Sequence, residues 1–292
     1  MTTLEKKSPC KVNLLLNILG KRPDGFHELE TLFHPVNLCD TLSFDKTSSG
    51  INLSCNNPAL SVDASNLVHR AATKFIEATK ITDGVRIHLV KHIPMAAGLG
   101  GGSGNAATTL LGLNELFGNP LSVSQLHTIA ATLGSDVNFF LQNKPALASG
   151  RGEKIEPLED FAAMRGASFL LVHPSFGIST PWAYRELARF PSALNGKPGC
   201  AQRLVSLLQG NDLAMAGREF YNSLEAPALE KYPVLALYQE FFRENDAAAT
   251  LMSGSGSTTF AIFKNQKSVE AVVEKFKARF GSTGWLAIVA VT

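Results

Sequence analysis

Residues 94–105 read Pro-Met-Ala-Ala-Gly-Leu-Gly-Gly-Gly-Ser-Gly-Asn, and no other stretch restricts the fold of this chain as tightly. Alternating Val85, Ile87 and Leu89 precede it, and Ala106-Ala107-Thr108-Thr109-Leu110-Leu111 follows. That order predicts a strand, a glycine-rich loop and a helix. Glycine lets the backbone take positive φ and lets a ligand approach the chain closely. The first amides of a helix lack internal partners and lie at its positive end, so such a loop and helix together suit a phosphate chain. A tight turn with a glycine-rich cap is the alternative. Five glycines within residues 98–104 argue against it, because each one costs backbone entropy that a plain turn does not recover.

Two familiar phosphate loops are excluded. A Walker A loop needs a Lys after its last glycine, and Asn105 follows Gly104. A dinucleotide fingerprint counted from Gly98 meets Ser103 where its third glycine belongs, and no acidic residue follows at the spacing that would hold a ribose. The pattern P-x-x-x-G-L-G-G-G-S that is present resembles the central motif of the GHMP kinases (galactokinase, homoserine, mevalonate and phosphomevalonate kinases). In that family the loop wraps the triphosphate of ATP.

The remaining composition is permissive. The length of 292 residues suggests two domains, which we divide at 1–160 and 161–292, with the acidic, proline-containing stretch 156–166 as the boundary. A net charge of +2 gives no reason to expect nucleic acid or an anionic membrane as partner. No apolar run is long enough to span a bilayer, and Met1–Lys7 lacks the apolar stretch of a signal peptide, so the cytoplasm is the expected compartment. The four cysteines are scattered without a C-x-x-C, which indicates neither a zinc knuckle nor a disulfide framework.

Residues 11–19 read as a buried strand, and 67–78 and 106–117 carry helical spacing, the latter with Ala106, Leu110, Leu113 and Phe117 on one face and Gly118 closing it. Ser122-Val123-Ser124-Gln125 is a capping-box signature for a third helix that stops at Gly134. Gly150–Glu153 reads as a turn. The second half begins with a strand over 168–173 and closes with a strand over 259–263, a helix over 269–280 and a strand over 285–291, which predicts an α+β sandwich.

Phosphoryl transfer is mostly positioning and charge stabilisation, with one group to take the proton of the attacking hydroxyl. Asp136, in Gly134-Ser135-Asp136-Val137, is the candidate base; as an Asp before an apolar run it also reads as an N-cap. Lys11 opens the buried strand, with Asn13 on the same face. It could neutralise charge on the transferred group, or be a solvated strand end. Ser253-Gly254-Ser255-Gly256 reads as a linker or, lying between a helix and a strand, as a second amide nest near the phosphates.

The resemblance extends along nearly the whole chain. Ser8–Leu14, Gly20–Thr31 with its Asp-Gly-x-His-x-Leu-x-Thr element, Ser65–Val68, Gly177–Pro181, Asn222–Glu225 and Ser253–Gly256 are similar to the branch of the GHMP kinases whose acceptor is a cytidine-diphosphate-linked polyol of non-mevalonate isoprenoid precursor synthesis. It implies a two-domain α+β fold, with a ribosomal-protein-S5-like N-terminal domain containing a left-handed βαβ crossover and a ferredoxin-like C-terminal domain. It implies ATP as co-substrate, held by Pro94, Met95, Ala96, Ala97, Gly98, Leu99, Gly100, Gly101, Gly102, Ser103, Gly104 and Asn66, with Mg²⁺ expected but no carboxylate pair set aside for it. Lys11 and Asp136 would be the catalytic pair acting at the 2-hydroxyl, with Asn13 and Thr180 holding the substrate. His27 would hydrogen-bond the cytosine, Phe26 would stack on it, and Phe33 and Tyr184 would complete an aromatic pocket. Large rings are also ordinary core residues, and Phe33 and Tyr184 fit that reading equally. Monomer and homodimer are both compatible with the sequence. Two departures stand out: Gly104 replaces the Ser usual in relatives, and Ser257 stands where Pro is frequent.

Overall fold

The computed structural model describes residues 3–142, 144–194, 197–282 and 284–291. Its first half runs β1 (Leu4–Lys21), β2 (His27–Thr47), β3 (Ile51–Cys55), α1 (Leu67–Thr79), β4 (Gly84–Val90), α2 (Gly101–Leu116), α3 (Val123–Leu133), β5 (Ala146–Gly150) and β6 (Lys154–Pro157). Next come β7 (Ser168–His173), α4 (Thr180–Glu186), α5 (Cys200–Leu208), α6 (Leu213–Gly217), β8 (Tyr221–Asn222), α7 (Glu225–Lys231) and α8 (Val234–Glu244). The chain closes with β9 (Ala249–Met252), β10 (Thr259–Phe263), α9 (Gln266–Phe280) and β11 (Trp285–Ala290). Two compact units result, one of Met1–Cys10, Leu38–Ile93 and Gly100–Asn143, the other of Lys11–Asn37, Pro94–Leu99 and Lys144–Thr292.

In the first unit β3 and β4 are parallel neighbours joined through α1, a βαβ element, and β4 pairs antiparallel with the later part of β2 (Phe44 opposite Ile87). Helices α1, α2 and α3 pack on one another. The run Gly104–Leu110 of α2 is buried on every side, which makes it the central helix of the unit. Gly112 is there because a Cβ would lie 2.6 Å from the Phe44 ring. The capping box opening α3 forms as read, with Ser122 and Gln125 bonding reciprocally.

In the second unit the β5–β6 hairpin lies on the first part of β2 (Leu29 opposite Gly150), and its turn carries Gly150 and Gly152 at positive φ. The later part of β1 pairs parallel with β8. A separate antiparallel sheet has the order β11-β7-β10-β9. With α8 ahead of β9 and α9 ahead of β11, the order βαββαβ is ferredoxin-like. Its core includes Leu170, Val172, Phe263, Phe242 and Phe276. Among the described residues no helix is long and apolar enough to cross a membrane.

Three sequence expectations shift. Helix α2 starts at Gly101, five residues before Ala106, so Gly101, Gly102 and Gly104 are its first turn rather than loop. Helix α9 starts at Gln266, where Asn265 caps it by accepting from the Ser268 amide. Strand β9 has no counterpart in the sequence reading, so the second glycine cluster joins two strands of one sheet, not a helix and a strand.

Candidate active site

The glycine segment divides at Gly100. Its first part, Pro94–Leu99, lies in the second unit and is clamped by the β9–β10 turn. The Thr258 amide donates to Ala97 O (3.1 Å) and Ser253 Oγ donates to Gly98 O (2.9 Å). Gly98 takes φ 76°, and a Cβ there would lie 2.1 Å from Ser253 O, so only glycine fits. A Cβ at Gly177 would meet that of Ala96 at 2.8 Å, which brings the Gly177–Pro181 stretch against the same loop. Within the β9–β10 turn the amides of Ser253, Gly256 and Thr258 are already bonded to Thr258, Ser253 and Ala97 carbonyls. The turn therefore braces Pro94–Leu99 through Ser253 and Thr258. Ser257 is buried, its hydroxyl bonded to Phe176 O and 3.2 Å from His173 Nδ1, so it has partners of its own.

The brace is anchored from behind. Asn222 Nδ2 donates to both Met252 O (2.8 Å) and Gly254 O (2.7 Å), and Glu225 Oε1 accepts from the Met252 amide (2.7 Å) and Gln239 Nε2 (2.5 Å). Burial pushes the Glu225 carboxyl up to about 7 from 4.5. A carboxyl raised in the folded state binds its proton more tightly there than in the unfolded chain. Its stabilising contribution is complete below about pH 4.5 and is lost as pH rises through 7. Glu225→Gln should flatten that part of the stability profile, removing a fall of about 2 kcal/mol between pH 5 and pH 8. Urea midpoints of the two proteins at the two pH values test this; equal slopes would show that Glu225 is ionised throughout.

The second part of the glycine segment opens α2 in the first unit. The first helical bond runs from the Gly104 amide to Gly100 O (2.9 Å), so the amides of Gly101, Gly102 and Ser103 precede it and stand at the positive helix end. A Cβ at Gly104 would lie 2.7 Å from Pro9 O and 3.2 Å from Ser8 Oγ. The missing serine is thus matched by a backbone approach that leaves no room for one. Asn66 is the N-cap of α1, its Oδ1 accepting from the Val68 amide (2.8 Å) and its Nδ2 donating to Ser61 O (2.6 Å). Both ends of that side chain hold the helix start. Asp136 lies half-buried in the turn after α3, and the 3₁₀ turn that follows takes no side-chain cap. That turn carries Phe139 and Phe140 in edge contact (5.0 Å), and Phe140 packs against Gly104 in the first turn of α2.

In the second unit Lys11 and Asn13 alternate along β1, as Thr31 and Phe33 do along β2. Lys11 Nζ donates to Asn13 Oδ1 (2.6 Å) and lies 5.0 Å from the centre of the Phe33 ring. Phe33 is only 2% exposed, so it floors the ammonium and is not part of an open aromatic pocket. Asn13 Nδ2 donates to Thr31 Oγ1 (2.8 Å). Sequence alone gives Thr31 no role, because its meaning depends on a partner in another strand.

The polar loop 22–26 holds Phe26 half-exposed. Its amide donates to Asp24 Oδ1 (3.1 Å), Gly25 turns at φ 85°, and the Arg151 guanidinium covers the ring at 4.6 Å. His27 lies 5.1 Å from the Tyr184 ring, centre to centre. Tyr184 stands one turn of α4 beyond Thr180, whose Oγ1 is 2.8 Å from Ser255 Oγ. Burial, with Lys21 nearby, lowers the His27 pKa, so the imidazole is neutral at pH 7 with one donor and one acceptor. Glu30, from the same sequence signature, accepts from the amides of Gly199, Cys200 and Ala201 at the start of α5, which is a structural duty.

Among the described residues no group of three or more His, Cys, Asp or Glu side chains is placed to hold a metal ion. A Mg²⁺ carried in on ATP phosphates needs only one or two protein oxygens, and the Ser103 hydroxyl on the first turn of α2 is of that kind.

These features define a small-molecule kinase built around a glycine-rich helix start. Models of the GHMP kinases N terminal domain and the GHMP kinases C terminal match residues 66–144 and 204–282. The 4-diphosphocytidyl-2-C-methyl-D-erythritol kinase of Acaryochloris marina is 38% identical over 282 residues, 93% of this chain and 90% of its own. The enzyme of that name from Synechococcus sp. (strain JA-3-3Ab) is 41% identical over 87% of this chain and 82% of its own. A crystal structure of 4-(cytidine 5'-diphospho)-2C-methyl-D-erythritol kinase superposes with a TM-score of 0.81 at 34% identity, covering 99% of this chain and all of that one. The chain belongs to the 4-diphosphocytidyl-2-C-methyl-D-erythritol kinase family of the GHMP kinases and has their two-domain α+β fold.

Proposed function

We propose that this chain transfers the γ-phosphate of ATP to the 2-hydroxyl of 4-diphosphocytidyl-2-C-methyl-D-erythritol, in non-mevalonate isoprenoid precursor biosynthesis. The observation that carries the choice of acceptor is the pairing of a neutral His27 against Tyr184 beside a half-exposed Phe26. Aromatic faces bind a base by stacking, and an imidazole with one donor and one acceptor suits the edge of cytosine.

Asp136 takes the proton of the 2-hydroxyl as it attacks. Lys11 stabilises charge on the phosphoryl group in transit, and Thr180 holds the polyol. The amides at the start of α2 and the arm Pro94–Leu99 cradle the phosphates, with Asn66 at the start of α1 near the nucleotide. The Ser103 hydroxyl would offer a protein oxygen to a Mg²⁺ brought in on ATP, which would supply charge neutralisation to the phosphates. Residues 1–160 form the ATP-binding domain and 161–292 the second domain, and the enzyme works in the cytoplasm on small molecules.

A coupled ADP-release assay over a panel of alcohols, with and without a cytidine-diphosphate head group, tests the assignment. Turnover of homoserine or mevalonate without turnover of the cytidyl polyol would end it. His27→Ala should raise KM for the cytidyl substrate about tenfold while KM for ATP stays within about twofold. A rise in KM for ATP instead would take His27 out of base recognition.

A further inference from the structure

Between β1 and β2 runs a hydrogen-bonded chain whose direction is set at both ends. The Leu15 carbonyl can only accept, and it receives the Thr31 hydroxyl proton at 2.5 Å. With its proton committed, Thr31 Oγ1 turns a lone pair to Asn13 and accepts from Nδ2 at 2.8 Å. That leaves the Asn13 carbonyl oxygen facing Lys11, whose ammonium can only donate and does so at 2.6 Å. An amide orientation is ordinarily an assignment between two near-equal choices. Here the reversed amide would set NH₂ against an ammonium and C=O against a hydroxyl already committed elsewhere. Thr31, Asn13 and Lys11 are 1%, 2% and 3% exposed, so water is poorly placed to replace a lost member. The Phe33 ring closes the ammonium in at 5.0 Å.

We propose that Thr31 is a positioning residue for phosphoryl transfer. Its hydroxyl holds the Asn13 amide in the one orientation that aims Lys11 at the transferred phosphate. This rests on the reading of Lys11 as the cation that stabilises the transferred group. It also reassigns Asn13, whose two polar ends are spent on Thr31 and Lys11, from holding substrate to steering the lysine. A side chain that acts only through Lys11 affects the chemical step and not the binding of either substrate. Displacement of a reacting group by about 1 Å costs on the order of 10²-fold in rate.

Thr31→Val keeps the shape of the side chain and removes the hydroxyl. It should lower kcat by about 10- to 100-fold with KM for ATP and for the cytidyl substrate each within about twofold, and Thr31→Ser should recover kcat to within about threefold of the parent. Thr31→Ala removes the same hydroxyl without the second methyl and should match Thr31→Val, so the test survives if the valine is not accommodated. The decisive comparison is made in a Lys11→Ala background, where Thr31→Val should lower kcat less than about twofold further, because residues acting as a unit are not additive. An unchanged kcat in Thr31→Val and Thr31→Ala overturns the proposal, as does a loss that recurs in full without Lys11, which would make Thr31 merely structural. Lys11→Ala with normal kcat would be a different failure, removing the reading of Lys11 itself and the relay with it.

Discussion

Asp136→Asn is expected to lower kcat by about 10²–10⁴-fold while ATP binds as tightly as before. The substitution changes one oxygen to an amide nitrogen and removes the function proposed for the residue, acceptance of a proton. The alternative sequence reading, an N-cap, predicts a different phenotype. Loss of a cap costs about 1 kcal/mol of stability and leaves chemistry intact. The N-cap position of the 3₁₀ turn that follows is Val137 and not Asp136, which weighs against that reading. The same turn sends Phe140 against Gly104, so the segment bearing the carboxylate is fastened to the first turn of α2, whose leading amides are proposed to meet the phosphates. Single-turnover kinetics separate the outcomes, with ATP affinity measured alongside. A kcat within tenfold of the parent would remove Asp136 as the base, and a raised ATP dissociation constant would move its role to the nucleotide.

What can be read in the sequence follows how local each cause is. The glycine segment is legible because strand, loop and helix are contiguous, and because positive φ at Gly98 and Gly100 has few substitutes. The sequence places the start of α2 too late for the same reason in reverse. Glycine is a poor helix former, and the pressure that makes Gly101–Gly104 helical is tertiary: the Pro9 carbonyl and the Phe140 ring lie against Gly104. Strand β9 escapes because Ala249–Met252 is only four residues long and has little β-branched character. His27 and Tyr184 stand out separately in the sequence, and their contact at 5.1 Å belongs to the fold. Phe33 stands out for its ring, but its neighbour is an ammonium that sits two residues before Asn13 on another strand. Thr31 is visible as part of a signature and silent as to purpose.

The least legible feature is also the one whose loss should cost the most stability. Ser8, Asp40, Lys91 and Asn105 come from four separate stretches and converge beneath the first turn of α2. Asp40 is fully buried, and its Oδ1 accepts from the amides of His92 (2.8 Å) and Ile93 (2.9 Å). Its Oδ2 accepts from Asn105 Nδ2 (2.9 Å) and from the ammonium of Lys91, whose side chain is 6% exposed. Lys91 also reaches Asn105 Oδ1 (3.3 Å), and Asn105 Nδ2 reaches Ser8 Oγ (3.0 Å). One carboxylate thus ties the exit of β4 to α2. Asp40→Ala leaves an ammonium buried without its counter-charge, together with two amides and a carboxamide deprived of an acceptor. Breaking a buried pair from one side costs about 3–5 kcal/mol, more than the pair is worth as a net interaction. Removing both charges should therefore be milder than removing one, and Asp40→Asn combined with Lys91→Met should recover at least about half of that loss in urea denaturation. The carboxamide oxygen that the first of these substitutions introduces still serves the two backbone donors, so ATP affinity should recover with stability. If Asp40→Ala cost less than about 1 kcal/mol, the pair would be behaving as a solvated one, and α2 would owe its placement to packing around Gly104 and Gly112 instead.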